Sequence, residues 1–108
     1  MHRTQHLNIK RYEYMSKHHP NLPYRFLFDE MLKGLARWLR AAGYDTNICQ
    51  TGANDRAIFT QAKQEKRLLI TRDRKFIEFR HAKEIVILLQ SNRRPDCAKE
   101  LTQRLNIN

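Results

Sequence analysis

The sequence predicts an α/β domain with a short, mostly parallel sheet of about four strands, flanked by helices in three layers. Three observations carry this reading. Short strand-like runs, "RFLF", "DTNIC", "RLLIT" and "EIVILLQ", alternate with segments whose apolar residues recur every three or four positions. The runs are largely continuous in apolar character, as strands covered on both faces are, and parallel strands joined by helices take right-handed crossovers. Helix boundary residues (Gly43, Asn54 and Pro95) fall between the runs. At 108 residues the chain forms one modest core, so a second catalytic domain is excluded.

Taken in order, residues 1–24 are polar and basic, and contain four of the five histidines and two of the three prolines. They read as a flexible arm that stops at Pro23, with His18 and His19 as solvated side chains, and the domain occupies residues 25–108. "RFLF" is the first strand. "DEMLKGLARWLRAAG" follows as an amphipathic helix with Met31, Leu32, Leu35, Trp38, Leu39 and Ala42 expected inward, Lys33, Arg37 and Arg40 outward, and Gly43 closing it. "DTNIC" is the second strand, and "NDRAIFTQAKQE" the second helix, with Ile58, Phe59 and Ala62 inward and Asn54 or Asp55 as its cap. "RLLIT" is the third strand, "RDRKFIEFRHAK" one or two helical turns, "EIVILLQ" the fourth strand, and "PDCAKELTQRL" a final helix starting at Pro95.

Twenty-one Lys and Arg against eleven Asp and Glu give a net charge of +10, which calls for a polyanionic partner. An anionic membrane would attract the same charge, but the cation excess persists in residues 1–24, 25–90 and 91–108 alike. A surface that tracks a nucleic acid backbone suits that spread better than a basic tail does. Cys49 and Cys97 have no metal-site spacing and read as reduced thiols. No apolar run approaches the ~20 residues of a membrane span and no signal core opens the chain, so a cytoplasmic location without a membrane partner is expected.

In a parallel sheet, ligands bind in the crevice outside the carboxyl ends of the strands. Asp29 and Glu30 follow the first strand, Asp55 opens the helix after the second, and Asp73 follows the third, so the topology gathers them at one edge. Asp45 begins the second strand and lies at the opposite edge, where Arg40 is its expected partner. Two unit charges ~4 Å apart at an effective dielectric near 20 repel by about 4 kcal/mol, so carboxylates gathered in one crevice need relief. A proton, nearby arginines or a divalent cation would supply it, and an all-oxygen site favours Mg²⁺ or Mn²⁺. Each acid also has a plainer role: Asp29 and Asp55 as helix caps, and Asp73 as an ion-pair partner of Arg72 or Arg74.

"FLFDEMLKGLARWLRAAGYD" together with "LLITRDRKF" resembles the PIN-like ribonuclease family named after the C-terminal domain of the Mut-seven exonucleases, over residues 25–90. The motifs are the aspartate closing strand one, "LARWLR" followed by "GYD", and "TRD" closing strand three. The resemblance implies a PIN-like fold and a metal-dependent ribonuclease using Mg²⁺ or Mn²⁺. It makes Asp29 and Asp73 the principal metal-binding and catalytic acids, with Asp55 on the acidic position at the head of the second helix and Glu30 beside the motif. Arg72, Arg74, Lys33, Arg37 and Lys75 would then face an RNA backbone, where cations supply affinity without reading sequence. Relatives often continue into a cysteine-rich zinc ribbon; none occurs up to Asn108, so RNA capture would fall on the domain surface and the arm. PIN-type sites usually gather four acids, whereas strand four here ends in "QSN", with Ser91 or Asn92 as substitute polar ligands. Two other functions fit the sequence: a catalytically silent RNA-binding domain, and a toxin-like PIN protein whose basic face is covered by an acidic antitoxin.

Overall fold

The computed structural model describes residues 24–105. The arm expected at residues 1–24 lies outside the described residues apart from Tyr24, which is buried, stacks on Phe26 with ring centroids 6.0 Å apart and donates its hydroxyl to the Leu105 carbonyl. The four strands are β1 (Arg25–Phe28), β2 (Asp45–Ile48), β3 (Leu68–Thr71) and β4 (Val86–Leu88). They form one parallel sheet in the order β2-β1-β3-β4. Phe28 aligns with Ile48 on one side and Ile70 on the other, so β1 and β3 end side by side at the centre.

The α-helices are α1 (Lys33–Ala41), α2 (Asp55–Glu65), α3 (Ala82–Ile85) and α4 (Arg94–Leu105), with 3₁₀ turns at Glu30–Leu32 and Arg74–Glu78. Successive strand side chains point to opposite faces, so each apolar strand feeds two cores. Phe26, Phe28, Leu68, Ile70 and Ile87 meet Leu35, Ala36 and Leu39 of α1 and Leu101 and Leu105 of α4. Leu27, Leu69 and Val86 meet Ile58, Phe59 and Ala62 of α2, Phe76 of the second 3₁₀ turn and Ala82 of α3. The result is the three-layer PIN-like α/β arrangement.

Connections leave β1 and β3 toward opposite faces: α1 covers one layer and the turn after β3 covers the other. Together with the strand order, this makes the gap between the carboxyl ends of β1 and β3 the topological switch point, where open α/β sheets bind ligands.

Two local expectations change. The helix after β1 begins as a 3₁₀ turn, and Leu32 at φ −110°, ψ 22° interrupts it before α1 starts. The inward face of α1 is therefore Leu35, Ala36 and Leu39, while Met31 (78% exposed) and Trp38 (50% exposed), expected inside, stand outside. Ala42, also expected inward, is exposed as the helix gives way to Gly43 at φ 101°. At α2, Asn54 alone is the cap, its side chain accepting from the Ala57 N–H at 2.8 Å. Asp55 is left uninvolved in capping.

Candidate active site

The carboxyl edge is built around Thr71, the last residue of β3. Its side chain is fully buried, yet its hydroxyl is satisfied twice: it donates to Asp29 Oδ2 at 3.0 Å and accepts from the Asp73 N–H at 3.0 Å. One hydroxyl thus joins the two strand-terminal aspartates. The backbone completes the fixing. The Asp29 N–H donates to the Ile70 carbonyl, extending the β1–β3 ladder past its last pair. Asp29 Oδ1 accepts from the Met31 N–H and Asp73 Oδ1 from the Lys75 N–H, both at 3.0 Å, so each aspartate caps the 3₁₀ turn that follows it. A carboxylate at such a position takes up the N–H groups that open the turn and is held in one place by them.

The capping role expected of Asp29 is therefore real, and Asp73 shares it. The ion-pair role for Asp73 is not. Arg72 turns away and donates to Asn92 Oδ1 at 2.6 Å, and among the described residues no ion pair reaches Asp29, Glu30, Asp55 or Asp73. Arg74 and Lys75 are exposed on the turn after Asp73, and Lys33 and Arg37 are exposed on α1. None of these cations forms an ion pair with the aspartates.

Residues 24–108 match the family described as the Mut7-C RNAse domain. The chain belongs to that family. No curated protein and no solved structure matches it. Membership points to a nuclease-type activity, and the two motifs that carried the resemblance, the aspartate ending strand one and "TRD", are the two halves of the Thr71-centred unit.

The remaining acids of this Mut7-C domain are arranged more loosely. Glu30 accepts from Thr51 Oγ1 at 3.3 Å across the gap between β1 and the loop after β2. Asp55 opens α2 and shares no hydrogen bond with Asp29 or Asp73. Among the described residues no group of three or more His, Cys, Asp or Glu is placed to hold a metal ion. The structure brings Asp29 and Asp73 together through Thr71 and leaves Asp55 and Glu30 at the periphery. The substitutes envisaged after β4 are committed elsewhere: Asn92 accepts from Arg72, and Ser91 Oγ donates to Glu100 Oε1 at 2.9 Å.

Two residues of this edge lacked a sequence signal as site components. Thr71 reads from sequence as a β-branched strand residue, and only the parallel register puts its hydroxyl between two aspartates. Cys49 continues β2, with its N–H on the Phe28 carbonyl, and is buried. Burial pushes its thiol pKa up; the Glu30 N–H opposes this, while the nearby charges of Asp29 and Glu30 raise it further. It is a neutral, protonated floor beside the acids. Glu100 was also unread: from α4 it accepts from the Gln90 and Ser91 N–H groups and from Arg104, holding the loop after β4. Burial raises its pKa, but these donors outweigh burial and the net shift is downward.

Proposed function

We propose that this Mut7-C domain is a Mg²⁺- or Mn²⁺-dependent ribonuclease whose reaction centre is the Asp29–Thr71–Asp73 unit. The observation that carries the proposal is that, among the described residues, no cation pairs with these two aspartates in a chain with a net charge of +10. Carboxylates held in place by backbone N–H groups and a buried hydroxyl, with no arginine among the described residues to neutralise them, are arranged to receive a positive charge from outside. The donor set fits a hard cation, since every candidate atom is a carboxylate oxygen. Mg²⁺ in particular is held by one or two carboxylates, with waters and substrate phosphate oxygens for the rest, so a two-aspartate site without a third fixed acid suits it.

In this reading Asp29 and Asp73 would hold the ion, with Asp55 and Glu30 as the further acids of the edge. The ion would supply the polarisation of a phosphodiester and the activation of water that hydrolysis requires. Thr71 fixes the Asp29 carboxylate through its hydroxyl and the Asp73 backbone through the N–H from which it accepts. Lys33, Arg37, Arg72, Arg74 and Lys75 bind the RNA backbone, contributing affinity with strong salt dependence.

The lack of a three-acid cluster favours a second reading, an RNA-binding domain without turnover. Incubating the purified protein with end-labelled RNA in Mn²⁺, Mg²⁺ or EDTA separates the two. The ribonuclease reading expects cleavage with metal and none with EDTA. RNA retention without product in either metal would establish the silent domain in its place.

A further inference from the structure

We infer that the outer face of α1, from Arg94 over Gly34 to Trp38, is a track for single-stranded RNA on which bases stack as the strand leaves the aspartate edge. The inference rests on the RNA reading above and gives it a substrate class. Its first support is Trp38, the only tryptophan of the chain, which stands half exposed on a short helix whose inward face is already filled by Leu35, Ala36 and Leu39. Its second support is Gly34, four residues earlier and so on the same helix face. A methyl group added at Gly34 would lie 2.7 Å from Arg94 Nε and 2.8 Å from Cζ and Nη2. Only a glycine lets the guanidinium of Arg94 lie this close to the helix backbone.

Charge and position identify the occupant. α1 carries Lys33, Arg37 and Arg40 and no acid. Its head follows directly from Asp29 through the 3₁₀ turn, so the track begins at the candidate reaction centre. Arg94 opens α4 just after Asn92, the acceptor of Arg72, so the cation next to Asp73 and the cation over Gly34 are linked by one short loop. A planar guanidinium and an indole on one helix face, flanked by exposed cations, are the components that grip single strands: base faces stack on the planes and phosphates meet the charges. A duplex, with its bases already stacked, offers neither plane a partner.

The test is Trp38 fluorescence titrated with a twelve-nucleotide single-stranded RNA in EDTA, which prevents turnover, at low and moderate salt. Saturable quenching by the single strand and none by the matching duplex is expected. Trp38→Ala, followed by fluorescence anisotropy of labelled RNA, should weaken binding about tenfold, the usual loss on removing a stacking aromatic. Arg94→Lys, which keeps the charge but loses the plane, should weaken it severalfold, and Gly34→Ala, which displaces only the flexible end of Arg94, should resemble Arg94→Lys. Equal affinity of wild type and Trp38→Ala for the single strand, or equal quenching by the duplex, overturns the track. If either result accompanies metal-dependent cleavage, the ribonuclease reading stands and only the track is lost; quenching by the single strand without cleavage in Mn²⁺ leaves the track and removes the ribonuclease.

Discussion

The two edges of the sheet contain the same kinds of residue and treat them in opposite ways. At the amino edge, Asp45 accepts from Arg25 Nε at 3.1 Å and from Arg67 Nη1 at 2.8 Å, and Glu65 accepts from Arg67 Nε at 2.7 Å. Arg67 is buried and also donates to the Phe26 and Asp45 carbonyls, tying β1, β2 and the end of α2 together. At the carboxyl edge, Asp29 and Asp73 are held by N–H groups and a hydroxyl and, among the described residues, meet no arginine. The acids of the amino edge are closed on arginines, whereas the two aspartates proposed to hold a cation are fixed in place without an ion pair among the described residues.

Substitutions at the two edges should therefore separate activity from stability. The largest effect is expected for Asp29→Asn and Asp73→Asn. Either should lower metal-dependent RNA cleavage by ~10³-fold or more, as loss of a metal-holding carboxylate does, with little change in melting temperature. Thr71→Val keeps the shape of a buried side chain but removes the hydroxyl joining the aspartates. It should cut cleavage by ~10–100-fold, weaken Mn²⁺ binding and cost about 1–2 kcal/mol of stability, and Thr71→Ser should restore most of both functions.

Arg67→Met reverses the pattern. It removes one donor from two carbonyls and from two carboxylates, with Asp45 keeping Arg25 and Glu65 keeping Gln61 and Asn47, and because those carboxylates are about one-third exposed and can rehydrate, a loss of about 2 kcal/mol in urea unfolding is expected, below the figure for a fully buried pair. Cleavage by the protein that remains folded should be unchanged.

The smallest effect is a pH dependence. The Arg67 hydrogen bond leads the causes that hold Asp45 below its ordinary pKa, against opposition from burial. Glu65 is lowered because hydrogen bonds from Arg67, Gln61 and Asn47 outweigh its burial. With Glu100 also lowered, the unfolded chain takes up protons first as pH falls. Their stabilisation is thus complete above the ordinary carboxylate values of 3.8 and 4.5 and is lost as pH drops below them through the folded values. Urea titrations between pH 6 and 3 (about that range suffices) should show stability falling only in the acid half, and Arg67→Met should flatten the fall.

Most of the architecture was legible because strand runs, helix periodicity and boundary residues agreed with one another. The edge assignment of Asp29, Asp73 and Asp45 followed from strand polarity alone. What the sequence could not resolve was geometry finer than an edge. Arg40 was the expected partner of Asp45, but its guanidinium donates to the Thr46 carbonyl at 3.2 and 2.8 Å, and Arg25 and Arg67 take the carboxylate instead. Both arginines reach Asp45 through the β1–β2–β3 register, which no local pattern reveals. Met31 and Trp38 obey a helical period, but the 3₁₀ turn shifts its phase and leaves them outside. Arg72 and Arg74 flank Asp73 in sequence, yet a turn sends neighbours apart, and Arg72 pairs with Asn92 twenty positions away.

The central claim is that only the unneutralised edge takes a cation. Calorimetric titration with Mn²⁺ of the wild-type protein, Asp73→Asn and Asp45→Asn tests it most directly. The account predicts binding by wild type and by folded Asp45→Asn, and loss of that binding in Asp73→Asn. Equal Mn²⁺ binding by wild type and Asp73→Asn would contradict it.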